Sequence, residues 1–139
     1  MTDEETARKS ADAMWADDHT AHALGMTLRG VDPGKASLAM TITKSMVNGH
    51  GIAHGGFIFT LADTAFAYAC NSHNQRAVAQ HAQISFLAPG KLGMTLIAEA
   101  SERQRGDRSG IYDITVRDEA STIIAEFRGW SRSIPGTFF

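Results

Sequence analysis

Asp63 stands alone as the one charged residue in the stretch Gly55–Ser72 (GGFIFTLADTAFAYACNS). A carboxylate in such apolar company is costly to leave ionised, so it shifts its pKa, finds donors, or does chemistry. Directly upstream lies Asn48-Gly49-His50-Gly51-Ile52-Ala53-His54-Gly55-Gly56. That segment brings polar side chains and backbone amides to what reads as the start of a helix. Amides there carry partial positive charge and point outward, and glycine lets another group approach them closely. The two features together suit a carbonyl substrate: the Gly55 N–H as polarising donor and Asp63 as nucleophile or general base.

These residues need a scaffold, and the chain is long enough for one domain spanning 1–139. It is 43% hydrophobic and 20% charged, with a formal net charge of −2. That balance describes a soluble globular protein and argues against nonspecific binding to nucleic acid or an anionic membrane. A single cysteine, Cys70, rules out an intrachain disulfide framework and suits a reducing cytoplasm. The opening MTDEETARKSADAMW is acidic and amphipathic, unlike a signal peptide. Asp63, two threonines and two glycines make Gly55–Ser72 a core helix rather than a membrane span.

Thr2-Asp3-Glu4-Glu5 reads as a capping box. It opens a helix to about Asp18, with Ala7, Ala11, Met14 and Trp15 on one face and a short second turn before Gly25. A strand near Met26–Val31 meets the turn Asp32-Pro33-Gly34-Lys35. In the next strand Ala36, Leu38, Met40 and Ile42 alternate with Ser37, Ala39, Thr41 and Thr43. Phe57, Ile58, Phe59, Leu61, Phe66 and Tyr68 surround the following helix on nearly every side, which predicts burial. Four further strands are expected at Ala77–Leu87, Met94–Arg103, Gly110–Arg117 and Thr122–Trp130, the last two pairing. The simplest packing wraps one antiparallel sheet around the buried helix, an α+β architecture. A sheet covers only one side of a helix, so the other side favours a dimer.

That element order resembles the hotdog fold and, more closely, the PaaI-type acyl-CoA thioesterases of phenylacetate breakdown. The residues that carry the resemblance are Asn48-Gly49-His50, His54-Gly55-Gly56, Leu61-Ala62-Asp63-Thr64-Ala65-Phe66-Ala67, Phe86-Leu87-Ala88-Pro89-Gly90 and Gly110-Ile111-Tyr112-Asp113. It implies hydrolysis of aryl-acyl-CoA thioesters such as phenylacetyl-CoA or its hydroxylated forms, with short or medium fatty acyl-CoA as the alternative. Coenzyme A enters as part of the substrate, and no separate cofactor or metal is expected. In this reading Asn48 orients water or the carbonyl, and His54 binds near the thioester or props the loop. Gly56 admits the substrate, and Lys91, Arg105, Arg108 and Arg128 are candidates for the phosphates.

Gly55 and Asp63 lie eight positions apart, or roughly 12 Å along a helix. Groups acting on one carbonyl must both come within about 3 Å of it. One chain can hardly supply both, so Gly55 of one protomer should meet Asp63 of its partner. The resemblance implies the same, with dimers often paired into tetramers. Some relatives place a serine or threonine on the strand after the helix, facing the carboxylate; here that strand begins Ala77-Val78-Ala79-Gln80-His81, so either Gln80 or His81 replaces it or the role is absent.

Plainer readings stand beside these. Asp63 could brace a helix junction, His54 could bond its own loop, Asn48 could be a turn residue, and Gly55 and Gly56 could serve packing alone. His50, His54, His73 and His81 lack a third ligand at metal spacing. Cys70 reads as a small buried residue. A hotdog dehydratase would need a catalytic histidine paired with an acid, whereas the nearest histidine here precedes the helix. A non-catalytic acyl-CoA-binding module, the rival outside enzymes, would bind without turnover.

Overall fold

The computed structural model describes residues 1–139. Helix α1 spans Asp3–Asp17 and begins where the Thr2 hydroxyl accepts the Glu5 N–H at 3.1 Å. Helix α2 (His19–Ala23) follows at once, capped by the Asp18 carboxylate. Strands β1 (Thr27–Asp32) and β2 (Lys35–Thr41) form a hairpin. Helix α3 (Gly55–Cys70) crosses the molecule before β3 (Ala77–Phe86), β4 (Thr95–Arg105), β5 (Ser109–Asp118) and β6 (Ile123–Ser133). The six strands make one antiparallel sheet in the order β1-β2-β4-β5-β6-β3. The expected α+β hotdog layout is therefore present, with a sheet curled around α3.

Alternation along the strands builds the core. Ala36, Leu38, Met40 and Ile42 are all buried, as are Leu96, Ala98 and Ala100 of β4 and Tyr112, Ile114 and Val116 of β5. Phe66 of α3 lies 5.6 Å from the Tyr112 ring and 5.9 Å from that of Phe127, at tilted angles favoured by aromatic quadrupoles.

Helix α3 is not covered all round. Ile58, Leu61, Ala62, Ala65, Phe66, Tyr68 and Ala69 are buried, but Gly56 is exposed and Thr60, Asp63 and Ala67 are half-buried. Those four positions recur every three or four residues and so form one stripe. The expectation of burial on nearly every side is thus corrected: the sheet covers one side, and a single chain has nothing left for the other. Strand β3 adds a second unfinished surface. It pairs only with β6, its other edge is free along ten residues, and Val78 and Phe86 are exposed beside it. A long edge with exposed apolar side chains is one that soluble monomers avoid.

The packing is tightest where β6 passes α3. A Cβ on Gly129 would lie 2.8 Å from the Phe66 ring, which is itself buried. Gly129→Ala should therefore lower unfolding stability by about 1–3 kcal/mol through overpacking, read as a shifted urea midpoint. An unchanged midpoint would mean that the ring has room to turn.

Candidate active site

The loop before α3 is held on both sides. The Asn48 side-chain oxygen accepts the N–H groups of His50 (2.9 Å) and Ile52 (3.3 Å). The Gly51 N–H reaches the Asn48 carbonyl at 3.0 Å with φ +75°, a conformation suited to glycine. The Ala53 N–H donates to the Gly90 carbonyl, the Leu92 N–H to that of Gly51, and the His54 N–H to that of Met46. Asn48 thus acts as a turn residue with its oxygen engaged, leaving only its amide nitrogen to offer outward.

His54 is the N-cap of α3, in extended conformation, and its imidazole makes no capping bond. No acceptor in the chain takes the Gly55 or Gly56 N–H. Two amides at the positive end of a helix are therefore open to an oxyanion or carbonyl. The two glycines differ in surroundings. A Cβ on Gly56 would meet nothing within 4 Å, so that face is open. At Gly55 the Phe86 ring already fills the space, 2.7 Å from where a Cβ would sit. Phe86 is the site residue whose role the sequence did not disclose: it is distant in the chain, and only the pairing of β3 with β6 brings it over the helix start.

Asp63 sits in the open stripe, half-buried, with no hydrogen bond or ion pair from its own chain. Burial alone raises its pKa above the ordinary carboxylate value. It lines a cleft of about 340 Å³ whose other walls are largely apolar, among them Met14, Phe66, Ala77, Ala79 and Phe138. The β3 residues that line the same cleft are Ala77, Val78 and Ala79. Gln80 lies in a β-bulge and its amide reaches toward the Ser131 carbonyl. His81 stacks edge-on against Trp130 at 4.8 Å, in the register position opposite it. Neither expected replacement for the strand hydroxyl lines this cleft within one chain.

Cys70 also borders the cleft, but burial and the nearby Asp63 push its thiol up to about 12. It is a buried small residue, not a thiolate. The His73 imidazole N–H donates to the Glu102 carboxylate at 2.8 Å, far from the loop histidines. No group of three His, Cys, Asp or Glu side chains is placed to hold a metal ion.

The basic candidates fall in three places. Lys91 bridges to Ile52 and so flanks the loop that precedes Gly55. Arg105 and Arg108 lie in or beside the β4–β5 turn, where Arg105 shares a pocket wall with Cys70 at the opposite end of α3. Arg128 is brought to neither. Glu126, Arg128 and Trp130 occupy the sheet face turned away from α3, and Arg128 grips Asp113 through two bonds of 2.6 and 2.9 Å. That bidentate pair draws Asp113 below the usual carboxylate range. Arg128 is thus engaged by Asp113 on the sheet face opposite α3, apart from Lys91, Arg105 and the Gly55 loop.

The distribution of Gly55 and Asp63 is now concrete. Both lie on α3, eight residues apart, so roughly 12 Å of helix separates the free amides from the unpaired carboxylate. The family profile "Thioesterase superfamily" matches residues 50–125, a span holding both features. The chain belongs to the thioesterase superfamily. It is 47% identical over 131 residues to the acyl-coenzyme A thioesterase PaaI of Escherichia coli K12, covering 94% of each chain. The solved structure of E. coli PaaI, from the phenylacetic acid degradation operon, superposes with a TM-score of 0.96 at 46% identity, covering 98% of this chain and 99% of that one. A Streptococcus mutans protein solved bound to acetyl CoA matches at 25% identity and a TM-score of 0.78, covering 81% and 90%. The chain is thus a hotdog thioesterase of the PaaI type.

For this thioesterase, Asp63 carries a sign that can be tested. A carboxylate whose pKa is raised on folding contributes stability fully below the unfolded carboxylate range and loses it as pH rises through the folded pKa. At neutral pH its ionisation opposes folding. Asp63→Asn should melt at a higher temperature than wild type near neutrality, and the gap should shrink on acidification toward about pH 4. A variant that melts lower at neutral pH would show that donors hold the ionised group.

Proposed function

We propose that this chain hydrolyses aryl-acyl-CoA thioesters, with phenylacetyl-CoA and its hydroxylated forms as the preferred substrates, in the cytoplasm and as a homodimer, further paired into a tetramer. The observation that carries the reading is the separation on α3: free amides at Gly55 and Gly56, and an unpaired half-buried carboxylate about 12 Å further along the same helix. The name of the E. coli relative supports acyl-CoA as the substrate class, and the operon named for its structure supports the aryl preference.

Chemically, two antiparallel copies of α3 facing each other through their open stripes would bring Gly55 of one protomer to Asp63 of its partner. The thioester carbonyl accepts from the Gly55 N–H, which stabilises the negative charge that develops on oxygen. The carboxylate then works in one of two ways. As a base it takes a proton from water, whose oxygen attacks the carbonyl while the coenzyme A thiolate departs. As a nucleophile it attacks directly, the thiolate leaves, and water opens the resulting mixed anhydride. Its raised pKa suits both, since a carboxylate stripped of partners is a stronger base and nucleophile than a solvated one. Lys91, beside the loop, would meet a phosphate on the Gly55 side, and Arg105 and Arg108 would meet one at the far end of α3.

The decisive experiment combines activity and complementation. Thiol release from phenylacetyl-CoA should be abolished by Asp63→Asn. Gly55→Pro, made together with Phe86→Ala to clear the ring its Cβ would otherwise meet at 2.7 Å, removes the N–H at a first-turn position that follows an extended residue, and should lower kcat by about 10²–10³-fold against Phe86→Ala alone. Neither variant works alone, yet their mixture should recover about a quarter of wild-type activity after random exchange, because half the dimers then contain one intact composite site. A mixture that stays inactive despite exchange would show that each chain builds its own site. Wild type that binds acyl-CoA thioesters without releasing thiol from any of them would make the protein a binding module.

A further inference from the structure

The last six residues of the sequence belong to no helix or strand, yet they are strapped down tightly. Asn74, in a left-handed turn at φ +56°, accepts the N–H groups of Phe138 (2.8 Å) and Phe139 (3.3 Å) and donates to the Phe139 carbonyl (3.0 Å). The Gln75 amide donates to the Ile134 carbonyl at 2.6 Å. Arg76 bonds the segment three times: its N–H to the Gly136 carbonyl, its carbonyl from the Ile134 N–H, and its Nε to the Thr137 carbonyl. Its guanidinium then lies 4.4 Å over the Phe138 ring. Irregular terminal segments ordinarily fray unless something ties them down.

What this strap holds in place is a wall. Phe138 and Ile134 line the same largely apolar cleft as Asp63, together with Met14 of α1 and Phe66 of α3. The Asp63 carboxylate, Asn71 and Arg76 are the polar members of its lining, and the other nine lining residues are hydrophobic. Such a lining suits an acyl group, its carbonyl at the acid and its tail against hydrocarbon.

We propose that Phe138 is the specificity-determining wall of the acyl cleft. Arg76 and Asn74 are the positioning residues that hold it. The wall limits the acyl tail to about the length of a ring on a short spacer, and longer tails are excluded by contact with the Phe138 ring. The inference rests on the thioesterase reading and adds the residue that sets acyl length. None of the three side chains takes part in the bond-making step.

The test compares kcat/KM for phenylacetyl-CoA with that for longer ω-phenylalkanoyl-CoA thioesters, in wild type, Phe138→Ala and Arg76→Gln. Removing the ring should raise the ratio of longer to shorter substrate by about ten-fold or more, the discrimination that one or two methylenes commonly give a hydrophobic pocket. Arg76→Gln should move the ratio in the same direction by less, mainly through KM. If Phe138→Ala is too unstable to assay, Phe138→Leu keeps an apolar side chain of smaller reach and should shift the ratio in the same sense. A folded Phe138 variant that turns over phenylacetyl-CoA with an unchanged ratio overturns the proposal. If wild type releases no thiol from any thioester, the functional reading fails. The wall is then decided by calorimetric binding of the same thioesters, where an unchanged affinity ratio between wild type and Phe138→Ala overturns it and a raised one upholds it.

Discussion

A helix that is apolar on almost every side cannot be satisfied by one sheet, and most of this structure follows from that constraint. The sheet curls to cover as much of α3 as it can, burying Leu61, Ala62, Ala65, Phe66 and Ala69 almost completely. The stripe Gly56-Thr60-Asp63-Ala67 is left facing outward. Composition along that stripe is telling: small residues, one hydroxyl and one acid, with none of the long charged side chains that would cover a solvent-facing helix. Such a stripe permits the close approach of another helix. The unpaired edge of β3 borders the same side, so the two unfinished surfaces are continuous.

The two ends of α3 are treated in opposite ways. At the C-terminal end the polar side chains of Asn71, Ser72 and His73 are all engaged. Asn71 donates to the carbonyls of Ala67 and Ala77 and accepts the Ala77 N–H, binding the helix end to the start of β3. Ser72 donates to Ala69 and accepts the Gly34 N–H from the β1–β2 turn. Glu102 accepts from the buried Tyr112 hydroxyl at 2.7 Å and meets His73 at 2.8 Å. Burial alone would raise the Glu102 pKa, but those two hydrogen bonds, together with the charges of His73 and Arg105, outweigh it and hold the carboxyl below its usual value. At the N-terminal end the cap makes no side-chain bond and the first amides go unused. A helix anchored rigidly at one end can leave donors unsatisfied at the other, and preorganised open donors are what stabilisation of a developing oxyanion requires.

Asp63 and Glu102 show how context decides the fate of a carboxylate. Both are partly buried acids packed against the same core. Glu102 has a tyrosine and a histidine within bonding distance and is held ionised; Asp63 has neither and is pushed toward its neutral form. The first contributes to folding, while the second opposes it at neutral pH. Local destabilisation of this kind is common where a side chain is kept for chemistry rather than for packing.

Much of this was legible in the chain itself. Alternation at Ala36–Ile42 and the capping box at Thr2 announced their elements to within a residue or two, because each depends on neighbours close in sequence. The isolation of Asp63 among apolar residues and the glycines at 55 and 56 marked both halves of the site for the same reason: helix spacing alone sets them about 12 Å apart. Other features arise only when distant segments meet. The Phe86 ring over Gly55, the outward turn of His81 and Arg128, and the seating of Phe138 at the Asp63 cleft all depend on which strands pair and in what register. A one-residue bulge at Gln80 is enough to change which face of β3 a side chain joins. Sequence determined which residues could do chemistry and how far apart one helix holds them, since those are local properties. Only the tertiary structure decided what surrounds them, because that depends on long-range pairing no local pattern encodes.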